Sequence, residues 1–256
     1  TIEKMISYSD IIIVNTDFCY NFISSRFPNA HKKIKKIYNR SNIIYNPGIN
    51  VNRDEVRKRL KVTENTILII FLGFINKEKS LESLFRALRL IYDQSRKAKL
   101  LIIGEPGGFE KNEAVTKYYE DLKKLSHALD LDNDVFWAGY CSSQDVSMSL
   151  LSSDLAVLPF YDGISGKRSS FWSVLEHGLT TITTFSPEEN IPEGLENNKN
   201  VILVPAGDAD ELKDAIIKCM DEPALCKHIG ENGRKLVIEK YSWENLIREL
   251  VDIYKE

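Results

Sequence analysis

Asp154-Leu155-Ala156-Val157-Leu158-Pro159-Phe160-Tyr161-Asp162-Gly163-Ile164-Ser165-Gly166-Lys167-Arg168-Ser169-Ser170-Phe171-Trp172-Ser173-Val174-Leu175-Glu176-His177 is the stretch that decides the fold. It opens as a short apolar run and closes as a helix-like run. A buried strand therefore empties into a loop of small residues, with two cations and two hydroxyls where the next helix begins. The first turn of a helix carries unpaired N–H groups and a partial positive charge, and so attracts anions. Gly163 and Gly166 allow close backbone approach, while Lys167, Arg168, Ser169 and Ser170 supply charge-assisted hydrogen bonds. The stretch predicts a phosphate or diphosphate site at the carboxyl edge of a parallel sheet.

The same alternation continues on both sides. Short apolar runs at Asn42–Tyr45, Ile67–Leu72, Lys99–Ile103, Val135–Ala138, Leu155–Leu158, Thr181–Thr184 and Val201–Val204 predict strands. Amphipathic runs at Arg53–Leu60, Leu81–Tyr92, Glu113–Ala128, Gln144–Leu151, Ser170–His177, Ala209–Met220 and Ala224–Glu239 predict helices. Strands that are continuously apolar belong to sheets covered on both faces. The fold class that follows is α/β, a Rossmann-like doubly wound parallel sheet. Before it, Ile11–Asn15 reads as a buried strand and Asp17–Ser25 as a helix, leading into the Lys-rich run His31–Lys36. After it, Ser242 is placed to cap a final amphipathic helix with Leu246, Leu250 and Ile253 along one face.

Composition narrows the function classes. Charged residues make up 28% and hydrophobic ones 43% of 256 residues, and the net charge is −3. Such a balance offers nucleic acid no global attraction, so no nucleic-acid partner is expected. The local exception is His31–Lys36, which reads as a solvated helix face before it reads as a contact for lipid phosphates or RNA. Cys19, Cys141, Cys219 and Cys226 lack C-x-x-C spacing, and no signal peptide is visible, so reduced thiols in a cytoplasmic protein are expected. The four histidines form no H-E-x-x-H pattern, so no protein-bound metal is expected. No apolar run approaches the roughly 20 residues of a membrane span.

Several segments, taken in order, resemble the C-terminal half of the family-4 (group 1) glycosyltransferases, whose fold is the two-domain GT-B architecture. Asn46-Pro47-Gly48-Ile49-Asn50 resembles the "P-N-G-hydrophobic-D/N" turn. Gly73-Phe74-Ile75-Asn76-Lys77-Glu78-Lys79 resembles the "G-R-x-x-x-x-K-G" loop, and Ile103-Gly104-Glu105-Pro106-Gly107-Gly108 the strand plus "G-x-G" turn. Val135-Phe136-Trp137-Ala138-Gly139-Tyr140 is similar to "V-x-F-x-G-x", His177-Gly178-Leu179-Thr180-Thr181 to "C/H-G-x-P-V", and Tyr241-Ser242-Trp243 to "Y-S-W". Each motif alone is weak, but the ordered series is strong.

The resemblance implies retaining transfer of a sugar from a nucleotide-diphosphate donor to a glycan or glycolipid acceptor. It puts Lys79, Ser165, Gly166, Lys167, Arg168, Ser169 and Ser170 at the donor diphosphate. Gly139, Tyr140 and Ser173 fall at the nucleobase and ribose, with Gly73 and Gly104 in loops near the donor. The nucleotide sugar is then a substrate, with no cofactor besides. Residues 1–40 are expected to be a remnant of the acceptor-side domain, 41–240 the donor-binding domain and 241–256 a crossover helix. The missing domain is a required partner, and little transfer is expected of this chain alone. Peripheral contact with the inner membrane face fits the family context. Where the family carries an arginine, this chain has Phe74, and Ser80 replaces the glycine after the lysine. Ser165 and Ser173 stand at the two glutamates of "E-x7-E", as in a divergent subgroup with basic residues in this loop. A non-catalytic nucleotide-binding or scaffold domain of glycosyltransferase descent is the alternative.

Among single residues, Glu176 has a doubtful claim to replace a lost carboxylate, because each helical residue turns about 100°. His177 precedes the C-capping Gly178 and has a structural reason to be there. A P-loop would need glycine at Tyr161 and a hydroxyl at Arg168, and a nucleophile elbow would need glycine at Lys167, so neither is supported.

Overall fold

The computed structural model describes residues 2–107, 113–187 and 190–255. The main sheet has six parallel strands: β3 (Ile67–Leu72), β4 (Ala98–Ile103), β5 (Val135–Gly139), β6 (Leu155–Leu158), β7 (Thr181–Phe185) and β8 (Ile202–Pro205). Its spatial order is β5-β4-β3-β6-β7-β8. The order reverses between β3 and β6, the switch point at which doubly wound sheets open a crevice beyond their carboxyl ends. Leu68–Phe71 and Ala156–Leu158 are wholly buried, as uninterrupted apolar runs in a covered sheet must be.

Six helices connect or follow these strands: α4 (Leu81–Asp93), α5 (Glu113–Ala128), α6 (Ser143–Ser152), α7 (Ser169–Glu176), α8 (Ala209–Asp221) and α9 (Pro223–Lys240). α4 packs against α5 and α8, while α7 packs against α9. Each of these strands and helices lies within one residue of its sequence-based bounds at either end. α3 (Arg53–Arg59) precedes the sheet, capped by Asn52, whose side chain accepts from the Glu55 N–H.

Three expectations fail. Asn42–Tyr45 is not a strand: it runs over α7 without joining the ladder, and its polar groups are met by side chains. Ser173 Oγ accepts from the Asn42 and Ile43 N–H groups at 3.2 Å each, and Glu176 Oε1 accepts from the Tyr45 N–H at 3.2 Å. With backbone donors satisfied from a helix, extended residues need no strand partner. Ile11–Asn15 does contain a strand, β1 (Ile12–Val14), but it is not fully buried. It pairs in parallel with β2 (Ile34–Lys36) in a separate two-stranded sheet, and Ile13 is 46% exposed.

The Lys-rich run is a 3-10 turn over Pro28–Lys33 followed by β2, where a helix face was expected. Pro28 lacks an N–H and stops α2 (Asp17–Arg26), while Ile34 and Ile37 bury toward the core. A first helix, α1 (Ile2–Tyr8), was not anticipated.

α10 (Trp243–Lys255) begins as expected, with Ser242 Oγ accepting from the Asn245 N–H at 3.2 Å. Ile253 is buried, and the Trp243 indole N–H donates to the Ser41 carbonyl at 2.9 Å. All four cysteines are free thiols. Among the described residues, no helix is long and apolar enough to cross a membrane.

Candidate functional site: a cationic cleft at the switch point

A cleft of about 960 Å³ opens at the carboxyl ends of β3 and β4, beside the first turn of α7. Three glycine turns shape it. Gly73, after β3, has φ 141°, and a Cβ there would meet Ser170 Oγ at 3.6 Å and Lys79 Cε at 4.0 Å. Gly104, after β4, has φ 145°, and a Cβ there would lie 2.0 Å from the Gly73 carbonyl oxygen. Only glycine lets these two turns stack so closely. Gly139 ends β5 with φ 68° and open space around it, and Tyr140 beyond it is 80% exposed on the rim. Gly108 lies outside the described residues.

The turn after β3 continues into a 3-10 turn, Lys77–Lys79, and then into Ser80 at φ 45°. A left-handed residue there explains the family's glycine, and Ser80 adopts the same conformation at some strain. Lys79 is thereby turned inward. It is 9% exposed, with Nζ 4.8 Å from the ring centre of Phe160. Burial, and then the positive charge of Arg168, pushes its pKa down to about 7.

Arg168 occupies the N-cap position of α7 and is 6% exposed. Its guanidinium carbon lies 4.6 Å from the centre of the same Phe160 ring. Nη1 donates to Glu78 Oε2 at 3.1 Å, Nη2 pairs with the Asp162 carboxylate, and Nε is buried without a partner. Lys167 Nζ donates to the other oxygen of Asp162 at 3.1 Å. These two cations hold the Asp162 carboxyl below the usual carboxylate range against the opposing effect of burial. Loop and helix are fixed from outside by Asn39. Its N–H donates to the Gly166 carbonyl at 2.8 Å, and its Nδ2 donates to that of Lys167 at 2.9 Å.

The structure thus brings Lys79, Lys167, Arg168, Ser169, Ser170, Gly73, Gly104, Gly139 and Tyr140 around one cleft. It does not bring Ser165, Gly166 or Ser173 to its wall. Ser165 is 1% exposed and its buried Oγ has no partner. Gly166 lies against Tyr38, whose Cδ1 would be 1.9 Å from an added Cβ. Ser173 is wholly buried and holds the 41–43 segment from behind, so that Asn42 and Ile43 reach the cleft and Ser173 does not. His177 is buried at the opposite, amino-terminal side of the sheet. Nδ1 bonds the Ser173 carbonyl at 2.7 Å, Nε2 bonds Ser147, and burial lowers the pKa of the ring.

Sequence reasoning did not single out Glu78, Asp162, Phe160 or Asn39. The first two had a readable signal: an acidic residue beside each cationic motif. Phe160 and Asn39 had none, since an aromatic after a strand and an asparagine in a loop are ordinary. Among the described residues no group of three His, Cys, Asp or Glu side chains is placed to hold a metal ion.

Two crowded cations beside a helix N-terminus, under a wall of glycine turns, can hold a polyanion and stabilise charge that develops on it. The family model described as glycosyl transferases group 1 matches residues 52–236. An uncharacterized glycosyltransferase of Methanocaldococcus jannaschii is 26% identical over 259 residues, covering 100% of this chain and 61% of that protein. The lipopolysaccharide 1,2-N-acetylglucosaminetransferase of Salmonella typhimurium is 24% identical over 253 residues, covering 95% of this chain and 61% of that protein. The chain therefore spans about three fifths of these relatives. Among solved structures, Anabaena HepE in complex with UDP superposes with a TM-score of 0.78 at 17% identity, over 97% of this chain and 64% of that one. The sucrose-phosphate synthase of Thermosynechococcus elongatus gives 0.77 at 18% identity, over 98% and 59%. With the matched family model covering well over half of its residues, and with the six-stranded sheet and switch-point cleft to go with it, the chain belongs to the group 1 glycosyl transferases.

Proposed function

We propose that the cleft holds the diphosphate of a nucleotide-diphosphate sugar and that this chain is the donor-binding part of a retaining GT-B hexosyltransferase. The observation that carries this reading is the pair of buried cations, Lys79 and Arg168, packed on one ring beside the start of α7. Departure of a nucleoside diphosphate builds negative charge on phosphate oxygens. Lys79, Lys167, Arg168 and the first N–H groups of α7 would stabilise that charge in place. Ser169 and Ser170 would add hydroxyl donors. Exposed Tyr140 beside the open Gly139 turn would cover the base or ribose.

The acceptor would be a glycan or glycolipid, presented across the cleft by an acceptor-side domain and, for a glycolipid, at a membrane surface. The separate β1–β2 sheet supports assigning residues 1–40 to that domain, and residues 41–240 make the donor domain. The anchoring of α10 to Arg40 and Ser41 supports a crossover role for 241–256. On this reading the chain by itself binds donor but transfers little sugar.

The test is unfolding of the purified chain with UDP, GDP, ADP or inorganic pyrophosphate, repeated on Lys79→Ala/Arg168→Ala. A ligand at 100 times its dissociation constant stabilises by about 2.7 kcal/mol. A shift with one nucleotide that the double variant loses would support the donor site and identify the base. No shift with any of the four would favour the scaffold reading.

A further inference from the structure

Arg168 has three faces, and this structure accounts for all of them. Nη2 is held by Asp162, which does not reach the cleft wall, and Nε is sealed in the interior. The remaining nitrogen, Nη1, is engaged by Glu78, and both residues line the cleft. Glu78 lines the cleft and its side chain is 61% exposed, against 33% for Asp162 and 5% for Arg168. Its backbone is nonetheless fixed, because the Glu78 carbonyl accepts from the Tyr161 N–H at 2.9 Å and so ties the two cationic loops together. Asp162 is thus a half-buried holder, and Glu78 an exposed carboxylate on a tied backbone.

Resting on the donor-site reading above, we propose that Glu78 is a displaceable counter-ion of Arg168, a carboxylate that must yield its hydrogen bond before a phosphate oxygen can take it. The exchange is of one anion for another at the same N–H group. An exposed carboxylate loses little on returning to water, whereas a buried guanidinium without any partner would cost far more. Arg168 is therefore satisfied with or without ligand, and Glu78 sets a threshold. An anion long enough to engage Nη1 together with Lys79 and the α7 N-terminus outcompetes the carboxylate. An anion that engages Nη1 alone does not. Glu78 is in this sense a specificity residue for the diphosphate over single phosphates.

Calorimetric titration of the full chain with inorganic pyrophosphate and with inorganic phosphate tests this on wild type, Glu78→Gln, Glu78→Ala and Lys79→Ala/Arg168→Ala. The expected result is that both Glu78 variants bind pyrophosphate about tenfold more tightly, as befits loss of a competing charge-assisted hydrogen bond. They should gain more for phosphate than for pyrophosphate, so that selectivity narrows. Pyrophosphate binding that depends on Lys79 and Arg168 but is unchanged or weakened in both Glu78 variants would overturn the proposal while leaving the donor site standing. Binding indifferent to the double variant would overturn the donor site itself. Among the described residues the Glu78 side chain pairs with Arg168, so a common fall in melting temperature of both variants would mark a holding role and count against exchange.

Discussion

At the scale of the residue, Lys79 carries the clearest consequence. Its pKa of about 7, down from 10.5, means the folded protein binds this proton more weakly than the unfolded chain does. The sign follows from linkage: the folded state is penalised below pH 7, and the penalty lifts as pH rises from about 7 to 10.5. Stability measured by urea unfolding is expected to rise across that window, and Lys79→Met should flatten the rise and stabilise the protein at pH 6. On the proposed donor-site reading, bound diphosphate would do the reverse by favouring the ammonium. Diphosphate affinity should therefore be full below pH 7 and decline above it, by at most tenfold per pH unit. A pH-independent affinity between 6 and 9 would show that Lys79 does not meet the anion. The sequence placed Lys79 in the cleft only by resemblance, because a lysine between Glu78 and Ser80 has the look of a solvated loop. What turned it inward was the left-handed Ser80, a conformation its own side chain does not advertise.

At the scale of the element, α7 joins the site to the rest of the chain. Its first turn faces the cleft through Arg168, Ser169 and Ser170, while one turn deeper on the same face Ser173 is covered by the segment 41–43, which it secures. Ser173→Ala leaves two backbone N–H groups short of an acceptor and is expected to cost about 2 kcal/mol in chemical unfolding. Ser173→Glu, which restores the family's residue type, should cost more and bring no gain in nucleotide affinity, since the position is fully buried. A Glu variant that folds normally and binds donor more tightly would show that position 173 does reach the ligand. Loop and helix were legible here because a strand, small residues and an apolar run follow one another. What covers each serine was not: Ser169, Ser170 and Ser173 share one helix face, and only the distant segment 41–43 seals the last of them from the cleft.

At the scale of the whole molecule, two sheets and a terminal helix meet around a short stretch, Tyr38–Ser41. Arg40 is buried, donating to the Tyr38 and Ser242 carbonyls, and stacks over Tyr241, which in turn packs on Trp172. Tyr38 covers Gly166, and Asn39 holds Gly166 and Lys167. The loop 163–167 is thus braced by residues outside the main sheet. Arg40→Ala should lower the melting temperature and also weaken pyrophosphate binding, whereas ending the chain after Ser242 should lower the melting temperature with binding retained. Equal loss of binding in both would mean that α10, and not Arg40, supports the site. The sequence by itself determined the α/β class, six of the seven strands read for the main sheet, the bounds of α3 to α9 and the position of the loop between β6 and α7, because hydrophobic period and glycine placement are local properties written along the chain. The tertiary structure alone decided that Asn42–Tyr45 serves α7 instead of a ladder and that Ser165, Gly166 and Ser173 do not reach the cleft. It also decided that Glu78 meets Arg168 across the two loops. The pairing of Asn42 with Ser173 spans 131 residues and that of Glu78 with Arg168 spans 90, while Asp162 and Arg168 are 6 apart. No local pattern encodes which group will satisfy a buried charge or an unpaired N–H.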